Sequence, residues 1–159
     1  MIKKNLVIYY PSFERGGVEE NIKNLINNFS KKINIHLVSS LSKSDAKKFF
    51  KKKLKIYEVK KSKLLSFLPS RINSALSSMF ILFSLTSKLN KKNLIVHSMQ
   101  SNIAAIFICL INNIKIVIRN SEDPIYSTYY SENYISSYII FFLKIVFYNL
   151  CSCIVTNSI

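Results

Sequence analysis

The sequence predicts an α/β domain with three layers, in which helices cover both faces of a mainly parallel sheet of about six strands. Short apolar runs alternate with segments of helical periodicity along the whole chain. Such alternation is typical of parallel strands joined by helical crossovers. The 159 residues are 49% hydrophobic, and no Pro/Ser-rich linker divides them. This length suits one core-bearing domain, so we treat residues 1–159 as a single domain.

The chain opens with a strand, a glycine turn and an amphipathic helix, which we predict at residues 6–10 and 17–30. Gly16 and Gly17, the only glycines of the protein, stand side by side between them. Without a Cβ, the backbone there can take a positive φ or approach a ligand closely. The start of the helix would offer free N–H groups to a phosphate or carboxylate. A tight packing turn that binds no ligand explains the two glycines equally well.

The same alternation continues to the end of the chain. Further apolar runs predict strands at 33–39, 54–59, 94–98, 115–118 and 153–157. Helical spacing of apolar residues predicts helices at 44–52, 70–89, 101–112 and 134–150. Pro69 suits the first turn of the third helix, and Ser101 could cap the fourth.

Two nucleotide-binding motifs are missing from the glycine turn. Neither G-x-G-x-x-G nor G-x-x-x-x-G-K-[ST] occurs in the sequence, which argues against a dinucleotide-dependent dehydrogenase and against a P-loop enzyme. His36 and His97 are the only histidines, so we also expect no metal cluster.

Four segments resemble, in order and spacing, the N-terminal half of family 4 glycosyltransferases. The family's opening, a strand followed by a GG-[VAI]-E loop and a helix, is similar to PSFERGGVEENIKNLINNF. A later strand ending in histidine resembles LIVHSMQSNIAAIF, and the next strand, with its arginine and acidic-proline loop, resembles IKIVIRNSEDPIY. The last strand of that half resembles CIVTNS. The resemblance covers nearly the whole chain but only one half of such an enzyme.

The resemblance implies a GT-B fold, in which two Rossmann-like domains face each other across a cleft. Residues 1–159 would form the acceptor-side domain, and the C-terminal donor-binding domain would be absent. The implied reaction is hexosyl transfer from a nucleotide-sugar with retention of configuration, without a cofactor or a required metal. It would serve lipopolysaccharide or cell-surface glycan synthesis, with a lipid-linked or oligosaccharide acceptor. We expect the chain to be inactive alone.

The candidate site residues follow the predicted strands at the sheet edge where open α/β folds bind ligands. The resemblance implies that His97, the candidate catalytic residue, lies near the transferred sugar, although Met99 replaces the second histidine of many relatives. It also implies that Gly16 and Gly17 face the donor diphosphate. The candidates for acceptor or sugar binding are Glu14, Arg15, Arg119, Glu122 and Asp123.

Structural roles compete with these assignments. A lone histidine at a strand end is as often a structural residue as a functional one. Arg119 could clamp a phosphate through its planar guanidinium, or it could pair with a nearby carboxylate and order the loop before Pro124. The residues that flank the glycines are equally ambiguous.

The net charge of +15 is concentrated in one lysine-rich stretch at residues 43–63. Lysines beside exposed aromatics suit an anionic membrane surface. We therefore predict a membrane-docking cluster of Lys47, Lys48, Lys51 and Lys52 with Phe49 and Phe50. A genome-wide bias towards Lys, Asn and Ile would give the same lysines without any binding. No nucleic-acid-binding motif accompanies the charge, so we expect no nucleic-acid partner.

Several features point to the cytoplasm and the inner face of the plasma membrane. The three cysteines form no C-x-x-C pair, which favours reduced thiols. Residues 134–155 are apolar, but Lys144 and Asn149 interrupt them, so we expect a helix buried on one side or lying at the interface. No signal peptide is evident. Two alternatives to an enzyme half remain, namely a basic, membrane-associated interaction module without catalysis and another Rossmann-like nucleotide-binding protein.

Overall fold

The computed structural model describes residues 4–13, 16–29, 32–51, 54–120 and 134–156. Its centre is a six-stranded sheet with the order β3-β2-β1-β4-β5-β6, in which every neighbouring pair is parallel. The strands are β1 (Lys4–Tyr10), β2 (Ile33–Ser39), β3 (Lys55–Glu58), β4 (Leu94–Ser98), β5 (Lys115–Asn120) and β6 (Cys153–Thr156). The predicted α/β class with a parallel sheet is confirmed.

Helices cover both faces of this sheet. They are α1 (Gly17–Asn28), α2 (Lys43–Phe49), α3 (Ser70–Lys88), α4 (Asn102–Asn112) and α5 (Tyr134–Tyr148), with short 3-10 turns at Lys63–Leu65 and Lys91–Asn93. The chain starts at the central strand β1, moves outward to β3, and returns through α3 to β4. Because crossovers between parallel strands are right-handed, α1 and α2 lie on one face and α3, α4 and α5 on the other.

Alternate residues of β1 enter two separate cores. Leu6 and Ile8 belong to a cluster that contains Ile22 of α1 and Ala46 of α2. Val7 and Tyr9 belong to another, with residues of α3 and α4 such as Leu82 and Ile106. Since successive side chains of a strand point to opposite faces, a central strand buried on both sides must be apolar at every position. This explains the uninterrupted run from residue 6 to 10.

The ends of the elements differ from the predicted ones where hydrogen bonding decides them. β2 and β4 have the predicted bounds, whereas β5 continues to Asn120 and α2 already ends at Phe49. The cap predicted at Ser101 is wrong. Ser101 has left-handed backbone angles of φ 55° and ψ 43°, and its side chain makes no capping hydrogen bond. A capping side chain needs an extended backbone to reach the first free N–H groups.

The segment from residue 134 forms a helix of 15 residues, α5, followed by the edge strand β6. In the described parts of the chain, no helix is long and apolar enough to cross a bilayer.

Candidate functional site

A groove of about 840 Å³ opens at the carboxyl edge of the sheet, where β1, β4 and β5 end. This edge is the usual ligand position in open α/β folds. We call it the large groove. Its walls are mostly apolar and come from α3, α4 and α5, with Met79, Phe107, Ile140, Leu143 and Phe147. Its polar lining includes Gln100, Asn102, Arg119, Lys144 and Tyr148.

Asn102 holds the floor of the large groove together. Its Oδ1 accepts a hydrogen bond of 2.8 Å from the Ser98 hydroxyl at the end of β4. Its Nδ2 donates to the backbone carbonyl of Arg119 at 2.8 Å and to the Tyr148 hydroxyl at 3.3 Å. One side chain therefore links β4, β5 and α5, and it fixes the backbone from which Arg119 projects.

The loops after β1 and β4 are also joined to each other. The Met99 amide donates to the Tyr9 carbonyl at 3.0 Å, and the Ser12 amide donates to Gln100 Oε1 at 3.1 Å. These bonds hold the entrance to the glycine turn against the segment that lines the large groove.

His97 lies in a second, smaller groove of about 520 Å³ on the α1 face of the sheet. Arg119 on the neighbouring strand lines both grooves, and Asn21 and Asn24 of α1 face it in the small one. The Nε2 atom of His97 is buried and has no hydrogen-bond partner among the described residues. Burial, and to a lesser extent the positive charge of Arg119, lower the pKa of His97. The imidazole is therefore neutral at neutral pH and suited to hydrogen bonding rather than to acting as an acid.

Gly16 and Gly17 have ordinary backbone angles, so neither takes the positive φ that was one of the two possibilities left open by the sequence. Gly16 is extended at φ 176°, and Gly17 is the first residue of α1. A Cβ at Gly16 would lie 3.4 Å from Glu19 Oε2, and one at Gly17 would meet nothing within 4 Å. The fold therefore requires a glycine at neither position, and close approach of a ligand remains the untested explanation. Tyr10 and Val18, at either end of the turn, both line the large groove.

Glu19, close to this turn, is a buried residue that was not among the candidate site residues. It is only 4% exposed, and the Tyr10 hydroxyl donates a hydrogen bond to its carboxylate. Glu19 lies in the first turn of α1, where a negative charge interacts favourably with the helix dipole. Its place in the GG-V-E segment was the available signal.

Five of the candidate residues, Glu14, Arg15, Lys52, Glu122 and Asp123, lie outside the described residues. Their predicted roles in acceptor binding and membrane docking stay predictions.

The predicted membrane-docking cluster lies on and just after α2. Lys47, Lys48 and Lys51 are exposed, as expected. The expected exposure of Phe50 is wrong, because this ring is 4% exposed and belongs to the core below α1 and α2. Phe49 is half-buried and contacts the Phe50 ring with centroids 5.0 Å apart. The lysines therefore lie beside aromatic rings that pack in or against the core. Membrane docking through these lysines is untested.

Solved structures show what this arrangement is similar to. No protein-family model matches the chain, and no curated protein matches it in sequence. A UGT transferase from Siraitia grosvenorii in complex with UDP aligns with a TM-score of 0.54 and 9% identity, over 79% of this chain and 30% of that one. Phytolacca americana UGT2, complexed with UDP-2fluoro-glucose and pterostilbene, aligns with a TM-score of 0.57 and 10% identity, over 100% of this chain and 49% of that one.

The chain has the fold of a Rossmann-like domain of GT-B glycosyltransferases. It spans less than half the length of either similar structure. At these identities the likeness concerns the fold, and the family 4 resemblance stays a prediction.

This fold brings together residues that the sequence analysis treated separately. Gln100 and Asn102 follow β4 directly, so their position at the carboxyl edge was available as a signal beside His97. Lys144 and Tyr148 had no such signal, because only the packing of α5 beside α4 brings them to the large groove. Within the described residues, no group of three or more His, Cys, Asp or Glu could hold a metal ion.

Proposed function

We propose that this chain is the acceptor-side half of a retaining, nucleotide-sugar-dependent glycosyltransferase of family 4, acting in lipopolysaccharide or cell-surface glycan synthesis. The observation that carries the proposal is the large groove, which lies at the carboxyl edge of a GT-B-type domain and has apolar walls beside Arg119 and Lys144. Both similar structures are described as bound to UDP or to a UDP-sugar analogue, which supports a nucleotide-sugar as the donor.

The lining of the large groove favours a lipid-linked acceptor over a free oligosaccharide. The guanidinium of Arg119 can bind a phosphate with two parallel hydrogen bonds. Phe107, Ile140, Leu143 and Phe147 offer apolar contact to the first part of a lipid chain. In the small groove, a neutral His97 imidazole would orient a hydroxyl group rather than donate a proton to it.

The donor would lie between this domain and a second one. By resemblance, the second domain makes most of the nucleotide contacts, and the turn at Gly16 and Gly17 faces the diphosphate. We therefore expect no sugar transfer from UDP-glucose by residues 1–159 alone. Measurable transfer by the purified chain would contradict this division of roles.

Acceptor binding can be tested with farnesyl phosphate as a short probe of a lipid-linked phosphate. We expect saturation-transfer NMR to detect farnesyl phosphate, with weaker signals for farnesol and for maltotriose. Arg119→Gln should weaken farnesyl phosphate binding by about tenfold, since a charge-assisted bond contributes about 1.5–3 kcal/mol. Lys115→Gln is the matched control, because it removes a cation from the other end of β5.

Two results would count against the proposal. Equal binding of farnesol and farnesyl phosphate, or equal effects of Arg119→Gln and Lys115→Gln, would show that no phosphate site exists in the large groove. Tight UDP-glucose binding by the isolated chain, abolished by Gly16→Val, would favour a different Rossmann-like nucleotide-binding protein.

A lipid-linked acceptor also implies a location. We propose that the domain works in the cytoplasm, associated peripherally with the inner face of the plasma membrane. Recovery of the chain in the membrane fraction, and its release by high salt or alkaline carbonate, would support this location.

A further inference from the structure

The outward surface of α5 is apolar, although helices that face water are normally polar there. Its exposed apolar side chains recur at helical spacing and form one stripe of Ile135, Tyr138, Ile139, Phe142, Ile145 and Val146. Ile135 is 78% exposed and Phe142 is 65% exposed. The neighbouring helix α4 adds the exposed residues Phe107, Leu110 and Ile111. We call these two sets together the outer helical face. So many contiguous exposed apolar side chains indicate an interaction surface.

Among the described residues, the charged side chains of the layer that carries this face are all positive. All eight acidic residues of the protein lie between positions 14 and 58 or between 122 and 132. Residues 59–120 and 134–156, which include α3, α4, α5 and strands β4 to β6, therefore contain no carboxylate side chain. A partner that contacts only these residues therefore meets no negative side chain.

Lysines border the outer helical face. Lys88, Lys91, Lys92 and Lys115 are exposed at the amino edge of the sheet, close to where α3 and α4 end. Exposed apolar rings bordered by lysines are the composition of surfaces that bind anionic lipid headgroups. A second copy of this chain would bring the same positive charge to the contact and would be repelled.

The outer helical face continues into the large groove. Phe107 and Ile140 both line the groove, and they are 48% and 47% exposed. A ligand anchored in a bilayer under α4 and α5 could therefore pass from the lipid into the groove without crossing water.

From these observations we propose that the outer helical face rests on an anionic lipid bilayer, with α5 lying along the interface. This rests on the proposed function and deepens it, because it gives a lipid-linked acceptor its route into the groove. It also moves the membrane contact away from Lys47 and Lys48. Those lysines belong to α2 on the opposite face of the sheet, so the two surfaces cannot contact one flat bilayer together.

Vesicle flotation tests the surface without any acceptor or nucleotide. We expect the chain to float with vesicles of phosphatidylcholine and phosphatidylglycerol, and less with phosphatidylcholine alone. The double variant Ile139→Ser with Phe142→Ser should weaken vesicle binding by about tenfold or more. The matched control is Lys47→Gln with Lys48→Gln, which should keep most of the binding. The opposite order of the two variants would overturn the proposal.

The chain contains no tryptophan, so a single introduced tryptophan reports where the bilayer lies. We expect the fluorescence of Phe142→Trp to be quenched by bromine-labelled phosphatidylglycerol vesicles, and that of Phe49→Trp on α2 to be unaffected. Both substitutions keep an aromatic side chain and the net charge, so loss of folding is a small risk and circular dichroism detects it. Quenching at residue 49 alone, or at neither residue, would overturn the proposal.

Two further outcomes separate the possible failures. If flotation is absent and Phe142→Ser turns an oligomer into a monomer, the outer helical face is a contact between protein chains and the lipid proposal is wrong. If flotation succeeds while farnesyl phosphate does not bind, the bilayer contact stands and the acceptor assignment of the large groove fails.

Discussion

His36 is a buried histidine that the central sheet holds in its neutral form. The side chain is 1% exposed and lies between Asn5 of β1 and Tyr57 of β3. Its Nε2 lies 3.4 Å from Asn5 Oδ1, and its Nδ1 lies 3.2 Å from the Tyr57 hydroxyl. Both contacts suit a neutral ring, which donates from Nε2 and accepts at Nδ1. Burial and, secondarily, the charge of Lys55 lower the pKa of His36. This histidine is structural.

The two histidines should make the protein less stable as the pH falls. Both folded-state pKa values lie below the ordinary value of 6.5. As the pH falls below that value, the histidines of the unfolded chain bind protons more readily than those of the folded chain. The free energy of unfolding therefore decreases. We expect the urea midpoint to fall between pH 7.5 and pH 5.5, and to fall less in His97→Asn.

Other shifted groups do not interfere in this pH range. The described tyrosines and thiols with a shifted pKa are Tyr9, Tyr57, Cys109 and Cys151. The pKa of Cys109 is raised to about 12. All of these pKa values are raised by burial, so the groups stay protonated throughout. A urea midpoint that is constant or higher at pH 5.5 would contradict the expected neutral histidines.

The sequence located the candidate residues better than it predicted their surroundings. His97 and Arg119 were placed at the carboxyl edge because parallel strands end together, and the structure brings both to the small groove. The glycine turn was left open between a positive φ and close approach of a ligand, because a sequence shows that a Cβ is missing but not which φ the backbone takes. Glu19 was undervalued, because its burial depends on the Tyr10 hydroxyl across the turn.

At the scale of elements, Asn73 controls how the chain enters the long helix α3. It is 3% exposed, and its Oδ1 accepts a hydrogen bond of 2.8 Å from the Ser62 amide. Its Nδ2 donates to the carbonyls of Ser62 at 3.0 Å and Leu65 at 2.8 Å. One amide therefore satisfies three backbone groups of the turn that brings the chain from β3 back to the centre of the sheet.

Replacing Asn73 should destabilise the domain. Asn73→Ala leaves partly buried backbone groups of Ser62 and Leu65 unsatisfied, and we expect the free energy of unfolding to fall by about 1–3 kcal/mol. Asn24→Ala, an exposed position of α1, is the control and should change it by no more than about 0.5 kcal/mol. Equal urea unfolding curves for Asn73→Ala and the wild type would show that the hydrogen bonds of Asn73 contribute nothing to stability.

The elements were predictable where apolar and polar residues alternate, whereas only some of their ends were. The strands at 33–39 and 94–98 have the predicted bounds, because apolar residues stop where burial stops. The start of α4 at Asn102 was predicted correctly, but the side chain of Ser101 makes no capping hydrogen bond, because the backbone of Ser101 is left-handed. The length of α5 was nearly right, but the outward position of its apolar stripe depends on how it packs beside α4.

For the whole molecule, the alternation of strands and helices was enough to predict the parallel sheet, and the resemblance anticipated a fold similar to one Rossmann-like domain of glycosyltransferases. The grooves could not be predicted from the sequence, since they depend on the separation of α4 and α5 above the sheet. The same holds for the segregation of charge, in which the carboxylates of the described residues lie on α1, α2 and β3. Only the strand order shows that α3, α4 and α5 lie on the opposite side.

The net charge of +15 should make stability depend on salt in a direction opposite to that of a protein rich in ion pairs. Two ion pairs join described residues, Lys23 with Glu20 at 2.9 Å and Lys60 with Glu58 at 3.6 Å. Their side chains are exposed or half-exposed, so screening them costs little. Repulsion among the excess lysines is the larger effect, and it is screened over about 10 Å at 0.1 M salt.

We therefore expect the melting temperature to rise as sodium chloride increases from low to physiological concentration, with light scattering recorded to exclude aggregation. The matched variant carries Lys47→Gln, Lys48→Gln and Lys51→Gln at three exposed positions. Because it removes positive charge where the lysines are most crowded, it should melt higher at low salt and respond less to added salt. A melting temperature that falls with salt would mean that attractive pairs outweigh the repulsion. In that case repulsion among the lysines would not limit the stability of the protein.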